Sequence, residues 1–186
     1  PEAVINFLAL LGWHNTGDQE MYTMDELIEQ FSLERVSKSG AKFDFEKGKW
    51  FNHQYLQLRS NEQLAAEFLD ATGGAGVSPA VNLTEAQKDA LPHVIGLVKE
   101  RVNFVSELWE QMSFFFVAPT EYDEKSLKKR WKEDSPKHMT ELVAILEKQD
   151  DWSAEALDTV VMGWIAQQGY GVGVVMNALR MCRVGG

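Results

Sequence analysis

The sequence predicts an all-α protein, and three observations predict it. Four-residue capping signatures open three separate apolar segments (Thr23-Met24-Asp25-Glu26, Ser60-Asn61-Glu62-Gln63 and Thr84-Glu85-Ala86-Gln87). Apolar residues recur three and four apart through most of the chain, as one buried helix face requires. Almost nothing alternates at period two, so strands have no case. At typical helix lengths the 186 residues accommodate roughly ten helices, with no internal repeat at a fixed period.

Taken in order, Pro1 suits a first helical position, and Val4, Phe7, Leu8 and Leu11 predict a helix that stops at Gly12. After a polar loop containing Asn15 and Gly17, the Thr23 capping box opens a helix with Leu27, Ile28 and Phe31 on one face. Ser32–Val36 predicts a short helical turn, Ser37–Ala41 a loop, and Asp44 the N-cap of the next helix. Ser60 starts a helix through about Asp70. Residues 71–83 (ATGGAGVSPAVNL) hold three glycines, a proline and little charge, which predicts a linker between one helical subdomain at 1–70 and a second at 84–186. In the second, Pro92 is expected to kink or restart the Thr84 helix. Val105, Leu108, Trp109 and Met112 lead a helix into Phe114–Phe116. Asp123 caps a basic helix over Lys125–Lys132. Ser135-Pro136 opens a helix with Leu142, Val143 and Leu146 inward. Ser153 opens one ended by Gly169, and the last runs from about Val172 to Arg183 with Val175, Met176 and Leu179 inward.

The bulk numbers exclude several classes. Apolar and charged fractions of 45% and 25% are those of an ordinary globular protein. One cysteine, Cys182, rules out an internal disulfide framework and fits a reducing compartment, the cytoplasm. No apolar run reaches membrane-spanning length, no signal peptide opens the chain, and a monomer is expected. A start at Pro1-Glu2 without Met predicts a piece of something longer. His14, His53, His93 and His138 stand too far apart to pair as metal ligands, so no metal site is expected. Gly169-Tyr170-Gly171-Val172-Gly173 follows a helix rather than a strand, which favours a helix cap over a dinucleotide loop. Gly76-Val77-Ser78-Pro79-Ala80 lacks the second glycine of a nucleophile elbow. No catalytic residue is expected.

The most informative stretch is Phe43–Tyr55. Trp50, Phe51 and Tyr55 occupy more than one helix face, with Lys47 and Lys49 among them. Rings that stack on bases and ammonium groups that meet phosphates suit a single-stranded nucleic acid. The same pattern also reads as an amphipathic helix with an aromatic core and solvated lysines. A net charge of −10 counts against nucleic-acid binding over the whole surface. Positive charge is nevertheless clustered: six cations against three anions over Leu33–Arg59, and five cations with no acid over Lys125–Lys132.

Arg35-Val36, Gly40, Phe43-Asp44, Lys47, Trp50, Asn52 and Tyr55 resemble a segment of bacterial glutamyl-tRNA synthetases just after the catalytic core. That segment reads R-V-x-x-x-G-x-x-F-D-x-x-K-L-x-W-x-N-x-x-Y; here Gly48 replaces the Leu. Val36-Ser37-Lys38-Ser39 is not the ATP loop of such enzymes, because the leading Lys-Met and any HIGH-type motif are missing. Leu97–Leu108 is similar to the family segment whose arginine reads the third anticodon base, which places Arg101 in that role. Trp152–Arg180 follows W-[ST]-x-x-x-[LIV] and G-x-x-x-G-x-x-x-x-x-L-R, putting Arg180 near the anticodon, while Met162 stands where the family has another arginine.

The resemblance implies a helical anticodon-binding cage, starting after the catalytic domain and ending before the terminal helices. Lys47, Trp50, Arg101 and Arg180 are its tRNA-binding residues, and the anticodon loop of tRNA-Glu is its partner. L-glutamate, ATP and Mg²⁺ would be handled by a catalytic domain of the parent ligase. The alternative is an acidic helical protein-interaction module whose aromatics are all core.

Overall fold

The computed structural model describes residues 1–38, 40–73 and 83–185, and among them the chain forms two compact units, residues 1–116 and 117–186. The first unit contains α1 (Glu2–Gly12), α2 (Met24–Gln30), α3 (Phe45–Leu58), α4 (Asn61–Gly73), α5 (Glu85–Val98) and α6 (Leu108–Phe116). Short 3-10 turns at Leu33–Arg35, Lys99–Arg101 and Val105–Glu107 join them. The second contains α7 (Glu124–Arg130), α8 (Ser135–Leu146), α9 (Ala154–Gln168) and α10 (Val172–Val184). Among the described residues the one strand-like pairing is an isolated bridge between Trp13 and Val36.

Helix starts follow the capping chemistry. Thr23 and Glu26, and Thr84 and Gln87, close reciprocal boxes at α2 and α5. Ser60 and Gln63 do the same at α4, with Ser60 N–H donating to Gln63 Oε1 over 3.0 Å. Asp44, Asp123 and Ser153 accept from the first free amides of α3, α7 and α9. Pro1 stands at the cap of α1 rather than inside it. At α8 the cap is Asp134, and Ser135 is buried with its hydroxyl accepting from Lys132 N–H over 2.8 Å.

Pro92 neither ends nor restarts its helix, since α5 runs through it. An interior proline costs about 3 kcal/mol. Burying Leu91, Val94, Ile95 and Val98 stabilises by roughly 1.5–3 kcal/mol each and outweighs that. These four share a core with Leu56 of α3, Leu64, Ala65 and Phe68 of α4, and Leu108 and Met112 of α6. The expected linker at 71–83 lies largely outside the described residues; α4 and α5, on either side of it, belong to this one core.

Several expected inward faces are rotated. In α1 the buried residues are Ala3, Asn6 and Phe7, while Val4 and Leu8 are exposed. Asn6 sets the rotation: its Nδ2 donates to Glu20 C=O over 2.9 Å, and its Oδ1 accepts from Tyr22 N–H and lies 2.8 Å from the Tyr55 hydroxyl. A buried amide needs those partners, so its face turns inward. Phe7 follows it, packing on Phe51 and against Gly48, where a Cβ would lie 3.6 Å from the ring. Ile28, Phe31, Val143 and Met176, expected inward, are exposed. In α10 the inward stripe is Val175, Ala178 and Met181, spaced three apart, with Leu179 half-buried against the same core as Val175. Gly169 adopts φ +70°, the left-handed C-cap that ends α9, so the glycine-rich run is a helix terminus.

Candidate nucleic-acid interface

Asp44 begins the candidate interface. Its Oδ1 accepts from Glu46 N–H at 3.0 Å and Lys47 N–H at 3.1 Å, which fixes the first turn of α3 and the positions of everything after it. Further along, Trp50, Phe51 and Tyr55 part company. Phe51 is sealed in the core at 0% exposure. Tyr55 is half-buried, its hydroxyl 2.6 Å from the Tyr22 carbonyl and 2.8 Å from Asn6 Oδ1. Burial, then the negative charges of Glu2 and Glu26, hold that phenol above its ordinary pKa. Trp50 remains at the surface, 38% exposed, standing edge-on to Phe51 with ring centroids 4.9 Å apart. The indole is neither sealed inside nor unsupported.

Lys47 lies beside it. Its ammonium is 5.5 Å from the Trp50 ring centroid and 5.8 Å from that of Phe51, and it ion-pairs with Glu20. Glu20 is brought there by the Asn6–Tyr22–Tyr55 network, which ties the segment before α2 to α1 and α3. Sequence spacing carries no signal for this partner, 27 residues from Lys47.

Arg101 belongs to the 3-10 turn Lys99–Arg101, and that turn is pinned along α3 by side chains bonded to backbone. Gln57 Nε2 donates to Lys99 C=O at 2.9 Å, His53 Nδ1 lies 2.8 Å from Val102 C=O, and Asn52 Nδ2 donates to Asn103 C=O. Lys99 returns the contact, its ammonium donating to the Gln57 and Arg59 carbonyls at 3.3 and 3.2 Å. Trp50, His53 and Gln57 are spaced i, i+3, i+7 and so form one stripe of α3. The structure therefore brings the Arg101 turn to the same stripe that begins at Trp50, with Arg101 itself exposed and no ion pair formed by it among the described residues. Asn52, His53, Gln57 and Lys99, which make this arrangement, were not singled out in the sequence as site residues.

Arg180 lies in the second unit, exposed on α10, opposite the buried stripe of Val175, Ala178 and Met181. Met162 of α9 is likewise on the surface. Among the described residues no three His, Cys, Asp or Glu side chains gather as a cation site, and no helix is long and apolar enough to cross a membrane. The described helices and single bridge form no strand–loop–helix cradle for a nucleotide phosphate.

The first unit thus presents an exposed arginine turn and a supported, half-open indole on elements joined along α3. Residues 62–186 match the family of anticodon binding domains, and the chain belongs to that family. Residues 1–50 match the catalytic domain of class I tRNA synthetases (E and Q).

The relatives are glutamate–tRNA ligases. That of Phocaeicola vulgatus is 55% identical over 185 residues, and that of Flavobacterium johnsoniae 44%. A crystal structure of a glutamate tRNA ligase from Elizabethkingia meningosepticum in complex with its amino acid superposes with a TM-score of 0.86 at 39% identity. In each case all of this chain is matched, and the chain spans 35% of the relative's length. The family match favours anticodon binding over an acidic protein-interaction module.

Proposed function

We propose that the chain is the anticodon-holding part of a glutamate–tRNA ligase, a cytoplasmic and monomeric enzyme that joins L-glutamate to tRNA-Glu with ATP and Mg²⁺. The observation that carries this reading is the anticodon-domain match over residues 62–186, within a chain wholly matched by glutamate–tRNA ligases. ATP and Mg²⁺ are assigned to the catalytic domain, of which residues 1–50 match a part. This chain's task is then recognition rather than bond-making.

Trp50 offers a rigid face for an unstacked base or the loop, held upright by Phe51. Lys47 meets the backbone, exchanging its Glu20 partner for a phosphate. Arg101 reads the third anticodon base by edge hydrogen bonds, for which a planar guanidinium is better shaped than an ammonium. Arg180 contributes near the anticodon. A third-position C favoured by Arg101 separates glutamate anticodons from glutamine ones.

The test is a pair of binding titrations with tRNA-Glu and tRNA-Gln. Arg101→Gln should narrow the gap between the two tRNAs, whereas Lys47→Ala should weaken both alike. Equal loss of both tRNAs on changing Arg101 would remove its reader role.

A further inference from the structure

The second unit carries a set of cations that the recognition scheme above leaves unused. Lys125, Lys128 and Lys129 are all exposed on α7, at i, i+3 and i+4, which places them on one face of the helix. None of them forms an ion pair with a described residue. Glu124, the acid next to them in sequence, stands four residues before Lys128 at the rim of the face and forms no ion pair with it. Asp123 is committed to the cap, its Oδ1 accepting from Ser126 N–H at 2.7 Å. Lys132, just past the helix, is exposed as well. Asp123 N–H also donates to Gly185 C=O at 2.8 Å, so the end of α10, with Arg183 two residues earlier, meets the beginning of α7.

Folding does not account for this clustering. Lysines at i and i+4 repel one another. The helix dipole favours Lys128 and Lys129 in the last turn but opposes Lys125 in the first. In a chain of net charge −10, three unneutralised ammonium groups on one short face are a local reversal of sign.

We propose that the Lys125–Lys128–Lys129 face of α7 binds the RNA sugar-phosphate backbone, as a sequence-blind contact separate from Lys47, Trp50 and Arg101. Flexible ammonium groups suit phosphates as point charges and do not read base edges as Arg101 would. The inference rests on the anticodon-binding reading and adds a second contact to it. The face sets affinity, and Arg101 sets preference.

The full chain, its Lys125→Ala/Lys128→Ala/Lys129→Ala variant, the corresponding triple Lys→Arg variant and Arg101→Gln are titrated with tRNA-Glu and with a tRNA of unrelated specificity across a salt series. Far-UV circular dichroism verifies the fold of each. The alanine variant should lose about tenfold in affinity for both tRNAs at 0.1 M salt, with the slope of log K against log salt shallower by about two to three. The arginine variant should keep both. Unchanged affinity and slope in the alanine variant, with Arg101→Gln still altering preference, would overturn the proposal and leave anticodon reading intact; a face made for an acidic protein predicts that result. Failure of the unaltered chain to bind either tRNA at low salt would overturn both.

Discussion

The two units differ in how their lysines are held. In residues 1–116 several cations are tied into the structure: Lys47 to Glu20, Lys49 to Glu46 at 3.0 Å, Lys88 to Glu85 at 2.7 Å, and Arg59 to both Glu2 and Glu67, while Arg101 is not. Lys99 caps two carbonyls at the end of α3. In residues 117–186 Lys137 pairs with Glu141 at 3.9 Å, but the lysines of α7 form no ion pair with a described residue. There His138 and Tyr170 pack with ring centroids 4.1 Å apart, and the Tyr170 hydroxyl donates to Glu141 at 3.0 Å. The difference teaches that a clustered charge run in the sequence has two physical fates. Where a carboxylate from the same turn or from another segment is within reach, it becomes part of the fold; where none is, it remains at the surface.

That contrast can be broken most forcefully at Phe51. It supports Trp50, packs on Phe7 and is fully buried, so Phe51→Ala should cost about 3–5 kcal/mol. Amide exchange should accelerate in α1 and α3 and stay slow in α8–α10. Uniform acceleration through both units would mean they do not unfold separately. Asn6→Ala comes next: it leaves buried donors and acceptors of the Tyr22 segment without partners, at about 1–3 kcal/mol. Chemical denaturation should register that loss, and the tie between Lys47 and Glu20 should loosen with it.

Acid sharpens the comparison through the helix caps. The Ser126 amide holds the Asp123 carboxyl below its ordinary pKa, and the Ser153 amide does the same for Asp151. A pKa lowered by folding stabilises the fold above the ordinary carboxylate value, and that contribution disappears as pH falls through the lower folded value. The first turns of α7 and α9 should therefore lose exchange protection below about pH 4. That of α5, boxed by Gln87, carries no titrating group in the box and should hold. Equal loss at all three would place the acid sensitivity elsewhere.

The smallest effect is expected at Glu20→Gln. Removing a half-exposed ion pair should shift stability by less than about 1 kcal/mol. Freed from its carboxylate, Lys47 should bind tRNA a few-fold more tightly, as fluorescence anisotropy would measure. Weaker binding would mean that Glu20 positions Lys47 rather than competes for it.

Much of the architecture was legible because capping is local. Thr23, Asp44, Ser60, Thr84, Asp123 and Ser153 each act on amides two or three residues away, and each marks a helix start in the structure. Which face turned inward was less legible, as α1 demonstrates. Val4 and Leu8 are the better hydrophobes, yet Asn6 is buried because Glu20, Tyr22 and Tyr55 surround it. Within the candidate site, Lys47 and Trp50 could be paired from spacing alone. The approach of Arg101 could not, since it depends on Asn52, His53 and Gln57 reaching carbonyls 42 to 51 residues later.

By itself, then, the sequence determined where most of the helices begin, and that rings and cations alternate on α3. These are matters of chemistry within one turn of the chain. Tertiary structure alone decided that Phe51 is sealed while Trp50 stays open, that Glu20 neutralises Lys47, and that the Arg101 turn lies along the Trp50 stripe. Each of those follows from which distant segment supplies the burying surface or the hydrogen-bond partner, and no local spacing encodes that choice.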